Sequence, residues 1–304
     1  MKIESTKSDR IFDRIIVVLI AVILIVMIYP LYFTVIASFS DPYAVVNGKV
    51  YLWIKDFSLD AYKSAFAETR LWVGYKNSIY YTVVGTLLSL AITIPGAYVL
   101  SKRNLPGRGF LATFFIIPMY FGGGLIPTYL IVKDLGLLNK SYTLVILTSL
   151  NIYNMIVARV YFQTSIPEAL YESARIDGAT DFRMFFSIAL PLAVPIIAVI
   201  ALFYAVARWN DYYTSLIYVS SDKYYPLQMM LRSILLSYEQ GFSMTSDATR
   251  GLSAEELAYL AKKQYIAQAM KYALIFIASA PLLILYPFVQ KHFVKGMMIG
   301  SLKG

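Results

Sequence analysis

Bond-making chemistry needs nucleophiles, paired acids or gathered metal ligands, and this sequence is poor in all three. Its 304 residues include no Cys and a single His, His292, without ligand-spaced partners. Disulfides, thiol nucleophiles and Cys/His metal centres are therefore out. No G-x-x-x-x-G-K-[S/T] occurs to cradle ATP phosphates, and Gly122-Gly123-Gly124 has no following Lys. What remains is binding and positioning chemistry. Thr148, Asn151 and Asn154 are three apart, roughly on one face of a helix, with Tyr153 beside them. Amides in an apolar run are costly unless they meet protein or a polar cavity. These residues either hydrogen-bond between helices or line a polar path.

A second cluster lies in the run Ser165 to Leu192, SIPEALYESARIDGATDFRMFFSIALPL. Ser165 and Glu168 have capping-box spacing, and Pro167 falls where a missing N–H costs little. A short helix should follow, with Ala169, Leu170, Ser173, Ala174 and Ile176 giving it an apolar side. Gly178 sits where a helix stops in the left-handed conformation. Thr180 or Asp181 should cap a second helix running through Phe182, Phe185 and Phe186. A mere connector could be shorter, and a loop with its own apolar side wants a partner.

The elements that must hold these clusters are membrane spans. Apolar residues make up 59% and charged residues 15% of the chain, against about 45–50% and 25% in soluble domains. Six segments can cross roughly 30 Å of hydrocarbon: Ile15–Phe39, Ile79–Leu100, Phe110–Ile131, Tyr142–Phe162, Ile188–Ala207 and Tyr272–Val289. The fourth carries Arg159 near its end, and the other five carry no Asp, Glu, Lys or Arg. The first lacks a small-residue cleavage site and is expected to be retained. Six spans put both termini on one side. With that side cytoplasmic, the inner segments hold 12 Lys and Arg in 63 residues and the outer ones 14 in 113. The density and the cluster Lys102, Arg103, Arg108 favour both ends inside. The excess behind the net charge of +9 is then expected to hold inner loops in the cytoplasm rather than to bind nucleic acid. Most of the 26 Tyr are expected in interfacial belts.

Prolines 95, 118, 127, 191, 195 and 281 and Gly122–Gly124 interrupt the spans. They mark either kinked packing or a translocation path lined by broken helix. Residues 163–187 form an inner loop. Residues 208–271 form a long outer loop, polar at first, with Gly241–Asp247 expected to be flexible. Ser253 and Glu256 have capping-box spacing that should open a helix toward the sixth span.

Glu172-Ser173-Ala174, Gly178, and Ile188-Ala189-Leu190-Pro191 after nine residues resemble the EAA signature of importer permeases of the ATP-binding cassette class. Only Ser173, for the middle Ala, departs from the pattern. Trp209-Asn210-Asp211, Tyr225-Pro226-Leu227-Gln228 and the tail from Gln290 to Gly304 are similar to permeases of maltose-type sugar importers. Gly123-Gly124-Leu125-Ile126-Pro127-Thr128-Tyr129 resembles the LplC/YtcP-like branch, linked to complex oligosaccharides from polysaccharides. The resemblance implies an all-α polytopic fold of the type I importer permease, one domain over residues 1–304, in a bacterial or archaeal cell membrane. It implies that Glu172, Ser173, Ala174, Asp177, Gly178, Leu190 and Pro191 couple to the ATPase, with Glu172 pairing with a basic ATPase residue and Gly178 providing the turn. Thr148, Asn151, Tyr153 and Asn154 are the substrate-path candidates. The implied partners are a second related permease, two ATPase subunits that bind the ATP and Mg, an extracytoplasmic binding protein, a sugar and lipid, with no cofactor, metal or catalysis in this chain. In maltose-type relatives the outer loop reaches into the binding protein. The rivals are an importer for another solute, a stand-alone secondary transporter, which would need intramembrane carboxylates that the six spans lack, and a membrane enzyme, which would need clustered nucleophiles.

Overall fold

The computed structural model describes residues 7–243 and 253–301. Among them there is no β-strand, only an isolated bridge between Ser40 and Phe57. The helices in chain order are α1 (Lys7–Ser38), α2 (Pro42–Val46), α3 (Asp60–Ala67), α4 (Thr69–Ser101), α5 (Arg108–Tyr120), α6 (Leu125–Asp134), α7 (Ser141–Leu147) and α8 (Ile152–Thr164). They continue as α9 (Glu168–Ile176), α10 (Asp181–Met184), a π-helical turn (Phe185–Ala189), α11 (Leu190–Leu192), α12 (Val194–Trp209), α13 (Tyr213–Tyr218), α14 (Leu227–Ser243) and α15 (Ala254–Ser301).

Three expected spans fall on single long helices, Asp9–Ser38, Thr69–Ser101 and Glu255–Tyr286, each with an apolar stretch long enough to cross a membrane. The other three are broken. α5 and α6 meet at 113°, α7 and α8 at 48°, and the segments Asp181–Leu192 and Val194–Trp209 at 77°. Gly124, at φ +83°, takes a backbone conformation that a Cβ would penalise, and Pro127 fits the first turn of α6. Ala193 lies between Pro191 and Pro195, neither of which can donate to the helix ladder. Pro95 and Pro281 stay inside unbroken helices.

Among its described residues the expected outer loop, 208–271, is largely helical, through α13, α14 and the start of α15. Gly241–Ser243 close α14, while Met244–Asp247 and the tail residues Leu302-Lys303-Gly304 lie outside the described residues. His292 falls within α15.

The chain forms two compact units. The first comprises Met1–Thr69 and Ile234–Ala280. Its core gathers Ile36, Ala37, Ala44, Val45, Val50 and Ala269, with Phe33 and Tyr272 against them. The Tyr62 hydroxyl donates to fully buried Ser38 at 2.8 Å. The second capping box forms as its spacing predicts. Glu256 accepts from the Ser253 N–H at 2.8 Å, and the Glu256 N–H donates back to Ser253 Oγ at 3.3 Å. Every residue of α1 from Asp9 to Tyr32 is exposed in the isolated chain, an apolar surface that needs lipid or protein around it.

The second unit comprises Arg70–Ser233 and Pro281–Gly304. One stripe of α4 is buried: Leu71, Gly74, Ser78, Tyr81, Gly85, Ser89, Thr93 and Ala97. Its small members let neighbouring backbones come close. A Cβ on Gly74 would lie 2.9 Å from that of Met230. Below that stripe Tyr98, Phe162, Tyr171, Phe185, Ile200 and Tyr204 join one apolar core.

Candidate functional site

The loop after the fourth expected span is shorter than 163–187. α8 runs to Thr164 and uses Ser165 as its C-cap. Ser165 is therefore not the N-cap of α9, and the capping box with Glu168 does not form; extended Pro167 opens the helix without a side-chain bond. The stop is as expected. Gly178 has φ +75°, its N–H donates to Arg175 O at 3.0 Å, and the Ala179 N–H reaches back to Ala174 O at 2.9 Å. These are the two crossed bonds of a Schellman motif. Thr180 then caps α10, accepting from the Arg183 N–H at 3.4 Å.

The buried side of α9 is Tyr171 and Ala174, not the face carrying Leu170 and Ile176. Tyr171 packs 6.2 Å from Tyr98, which also meets Phe185 at 4.9 Å. Lys102 Nζ lies over both tyrosines, 3.0 Å from the Tyr171 ring centroid and 4.5 Å from that of Tyr98. Burial lowers its pKa to about 8, while Glu168 and Asp181 pull upward and Arg175 downward. Burial likewise pushes the Tyr171 phenol up. α9 is thus packed on the end of α4 through an aromatic box, with the Lys102 side chain laid over two of its rings. This packing leaves Glu172, Ser173, Asp177 and Gly178 exposed. Beside them stand Ile176 at 87% and Phe182 at 79% exposure. Leu190 is half-buried and Pro191 exposed where the segment bends into α12.

The fourth expected span does not present Thr148, Asn151 and Asn154 as one helical stripe. α7 stops at Leu147 and α8 starts at Ile152, and two of the three residues are the caps of that break. Thr148 caps α7, its hydroxyl donating to Leu144 O at 2.7 Å. Asn151 caps α8, its Oδ1 accepting from the Asn154 N–H at 3.1 Å. Asn151 and Tyr153 are exposed, and Asn154 is buried.

Two residues of α12 that the sequence did not single out tie this break. Arg208, 5% exposed, donates to Thr148 Oγ1 at 2.7 Å and to Ser89 Oγ and Thr148 O at 2.9 Å. It also reaches Leu144 O and Val145 O at 3.3 and 3.4 Å. A cation at the C-terminus of α7 satisfies carbonyls that the stopped helix leaves open. One turn earlier, the Tyr204 hydroxyl accepts from the Asn151 N–H at 3.0 Å and shares a hydrogen bond with Thr93 at 2.7 Å. Gly85, Ser89 and Thr93 recur every four residues on α4, as Tyr204 and Arg208 do on α12. That paired spacing was the available signal.

Known proteins resemble this chain in sequence and in overall fold. Residues 4–299 match the binding-protein-dependent transport system inner membrane component family. Protein LplC of Bacillus subtilis (strain 168) is 38% identical, over 99% of this chain and 98% of its own length. The polygalacturonan/rhamnogalacturonan transport system permease protein YtcP of the same organism is also 38% identical, over 98% of this chain and all of its own. A chain of the crystal structure of a bacterial ABC transporter involved in the import of the acidic polysaccharide alginate superimposes with TM-score 0.84. It is 32% identical over 96% of this chain and 100% of that one.

Proposed function

The chain belongs to the family of binding-protein-dependent transport system inner membrane components, and from that membership we infer that it is the permease subunit of an ATP-driven importer of sugars or oligosaccharides. Residues 1–304 act as one permease domain with six spans, three of them broken, and both termini in the cytoplasm of a bacterial or archaeal cell. A second permease, two ATPase subunits that bind ATP and Mg, and an extracytoplasmic binding protein complete the transporter. The exposed apolar length of α1 suits lipid or the second permease. Two of the similar proteins carry names that mention polysaccharides, which supports a complex oligosaccharide as cargo.

The observation that carries the coupling role is the α9–Gly178–α10 hairpin. It is fixed at its base by Tyr171 and Lys102 and presents Glu172, Ser173, Asp177, Ile176 and Phe182 outward. Acidic and apolar side chains side by side suit a partner that offers a cation and an apolar cleft. Ala174, Leu190 and Pro191 set the position of the hairpin from behind. Movement of the ATPases then moves the hairpin and, through it, the bundle between inward- and outward-facing states. Asn151 and Tyr153 line the solute path at the break in the fourth span, with Thr148 and Asn154 completing it.

Glu172→Ala and Gly178→Val test the coupling role. Removing one partner of a desolvated charge pair costs on the order of 2–5 kcal/mol. At Gly178 no atom lies within 4 Å of an added Cβ, so the cost there is backbone strain of roughly 1–2 kcal/mol. Both variants should insert normally yet lose co-purifying ATPase, stimulated hydrolysis and sugar uptake. Native values of all three in both variants would reduce the hairpin to a connector.

A further inference from the structure

The break in the fourth expected span is fastened on both sides by one helix. Arg208 of α12 holds Leu144 O and the cap carbonyl of Thr148 at the end of α7, and Tyr204, one turn away, holds the N–H of Asn151, the N-cap of α8. Ile200, Tyr204 and Arg208 follow each other every four residues and are all buried, so one face of α12 runs against the break. From the N-terminus of α12 the chain bends by 77° at Ala193 and runs back through α11 and the π-helical turn into α10 and the hairpin at Gly178. Gly85 on α4 leaves the space that the guanidinium fills, since a Cβ there would overlap it. Ser89 and Thr93 fix the far side of the two bonds.

Neither half of the break can therefore follow the bundle independently of α12. A shift of α12 relative to α4 either carries the caps of α7 and α8 with it or breaks bonds from a buried cation, which are among the more expensive to lose. We propose that Arg208 and Tyr204 are positioning residues that convert movement of the 165–192 segment into movement of the Thr148–Asn154 break. They touch no substrate. They set where the exposed Asn151 and Tyr153 stand at each stage. Arg208 needs its planar fork, because a single ammonium cannot serve Ser89, Thr148 and two further carbonyls together.

The proposal rests on the importer reading, and the test separates the two. Hydrogen exchange is followed in the assembled transporter, with and without Mg and a non-hydrolysable ATP analogue, for the native chain, Tyr204→Phe and Arg208→Lys. In the native complex, nucleotide should alter protection both at α9 and at residues 148–154. In the variants the response at α9 should persist, while that at 148–154 falls about fivefold or more, within the usual range of coupling between sites. Sugar moved per ATP hydrolysed should fall in parallel. A variant break that responds like the native one overturns the proposal. So does failure of both variants to assemble, which would make the two side chains ordinary packing. No response at α9 in the native complex would instead refute the importer reading.

Discussion

Gly85→Ala probes the seat of Arg208 most directly. The added methyl would overlap the guanidinium, which approaches Gly85 from α12. A flexible arginine end at the surface would swing aside, but this one is 5% exposed and donates to Ser89, Thr148 and the α7 carbonyls. A displacement that breaks two hydrogen bonds from a charged group costs about 3–6 kcal/mol at roughly 1.5–3 each. Replacing a mid-helix Gly by Ala returns about 0.5–1 kcal/mol. The net loss is on the order of 2–5 kcal/mol, large against the marginal stability of most proteins. Unfolding in mixed micelles should show it for Gly85→Ala alone. In an Arg208→Leu background the methyl meets no guanidinium, and Gly85→Ala should be neutral or slightly stabilising there, giving a coupling energy of at least about 2 kcal/mol. Equal costs in both backgrounds, or a cost below about 0.5 kcal/mol in the native one, the usual range for changes with no specific mechanism, would show that Arg208 is not held against Gly85.

Two further outcomes follow from titratable groups. Lys102 has a pKa near 8 when α9 is packed on α4 and about 10.4 when free. Below pH 8 both forms are protonated; between the two values the packed form binds fewer protons, so raising the pH favours packing. Opening of α9, read from Tyr171 amide exchange corrected for intrinsic rate, should become rarer over that window, and Lys102→Met should abolish the dependence. Glu256 is held below the usual carboxylate range by its bonds from Ser253. The support it gives the start of α15 is complete above the free Glu value of about 4.3 and lost as pH falls through the lower native one. Amides 254–257 should then exchange faster on acidification, and Ser253→Ala should show that faster exchange already at neutral pH; equal rates would remove the capping box from the account.

What the sequence determined was local or compositional. Long apolar runs specify α1, α4 and α15, because no other structure buries twenty successive backbone polar groups in hydrocarbon. Gly178 and the Ser253–Glu256 box could be read because their partners lie within five residues. Even there, neighbours compete: Ser165 could end α8 or begin α9, and the helix that already reached Thr164 claimed it. The sequence also pointed to Thr148, Asn151 and Asn154 as polar residues with a purpose, but placed them on an unbroken helix. Tertiary structure alone decided the break. It contains neither Pro nor Gly, and its open carbonyls and amide are satisfied by Arg208 and Tyr204, more than fifty residues away in sequence. Tertiary structure also chose which face of α9 is buried, since Tyr171 finds Tyr98 and Lys102 there while Ile176 stays exposed. A span's existence follows from its own hydropathy. Where it breaks in the absence of Pro or Gly, and which side it buries, depend on acceptors, donors and rings supplied by other helices, and no local pattern encodes those.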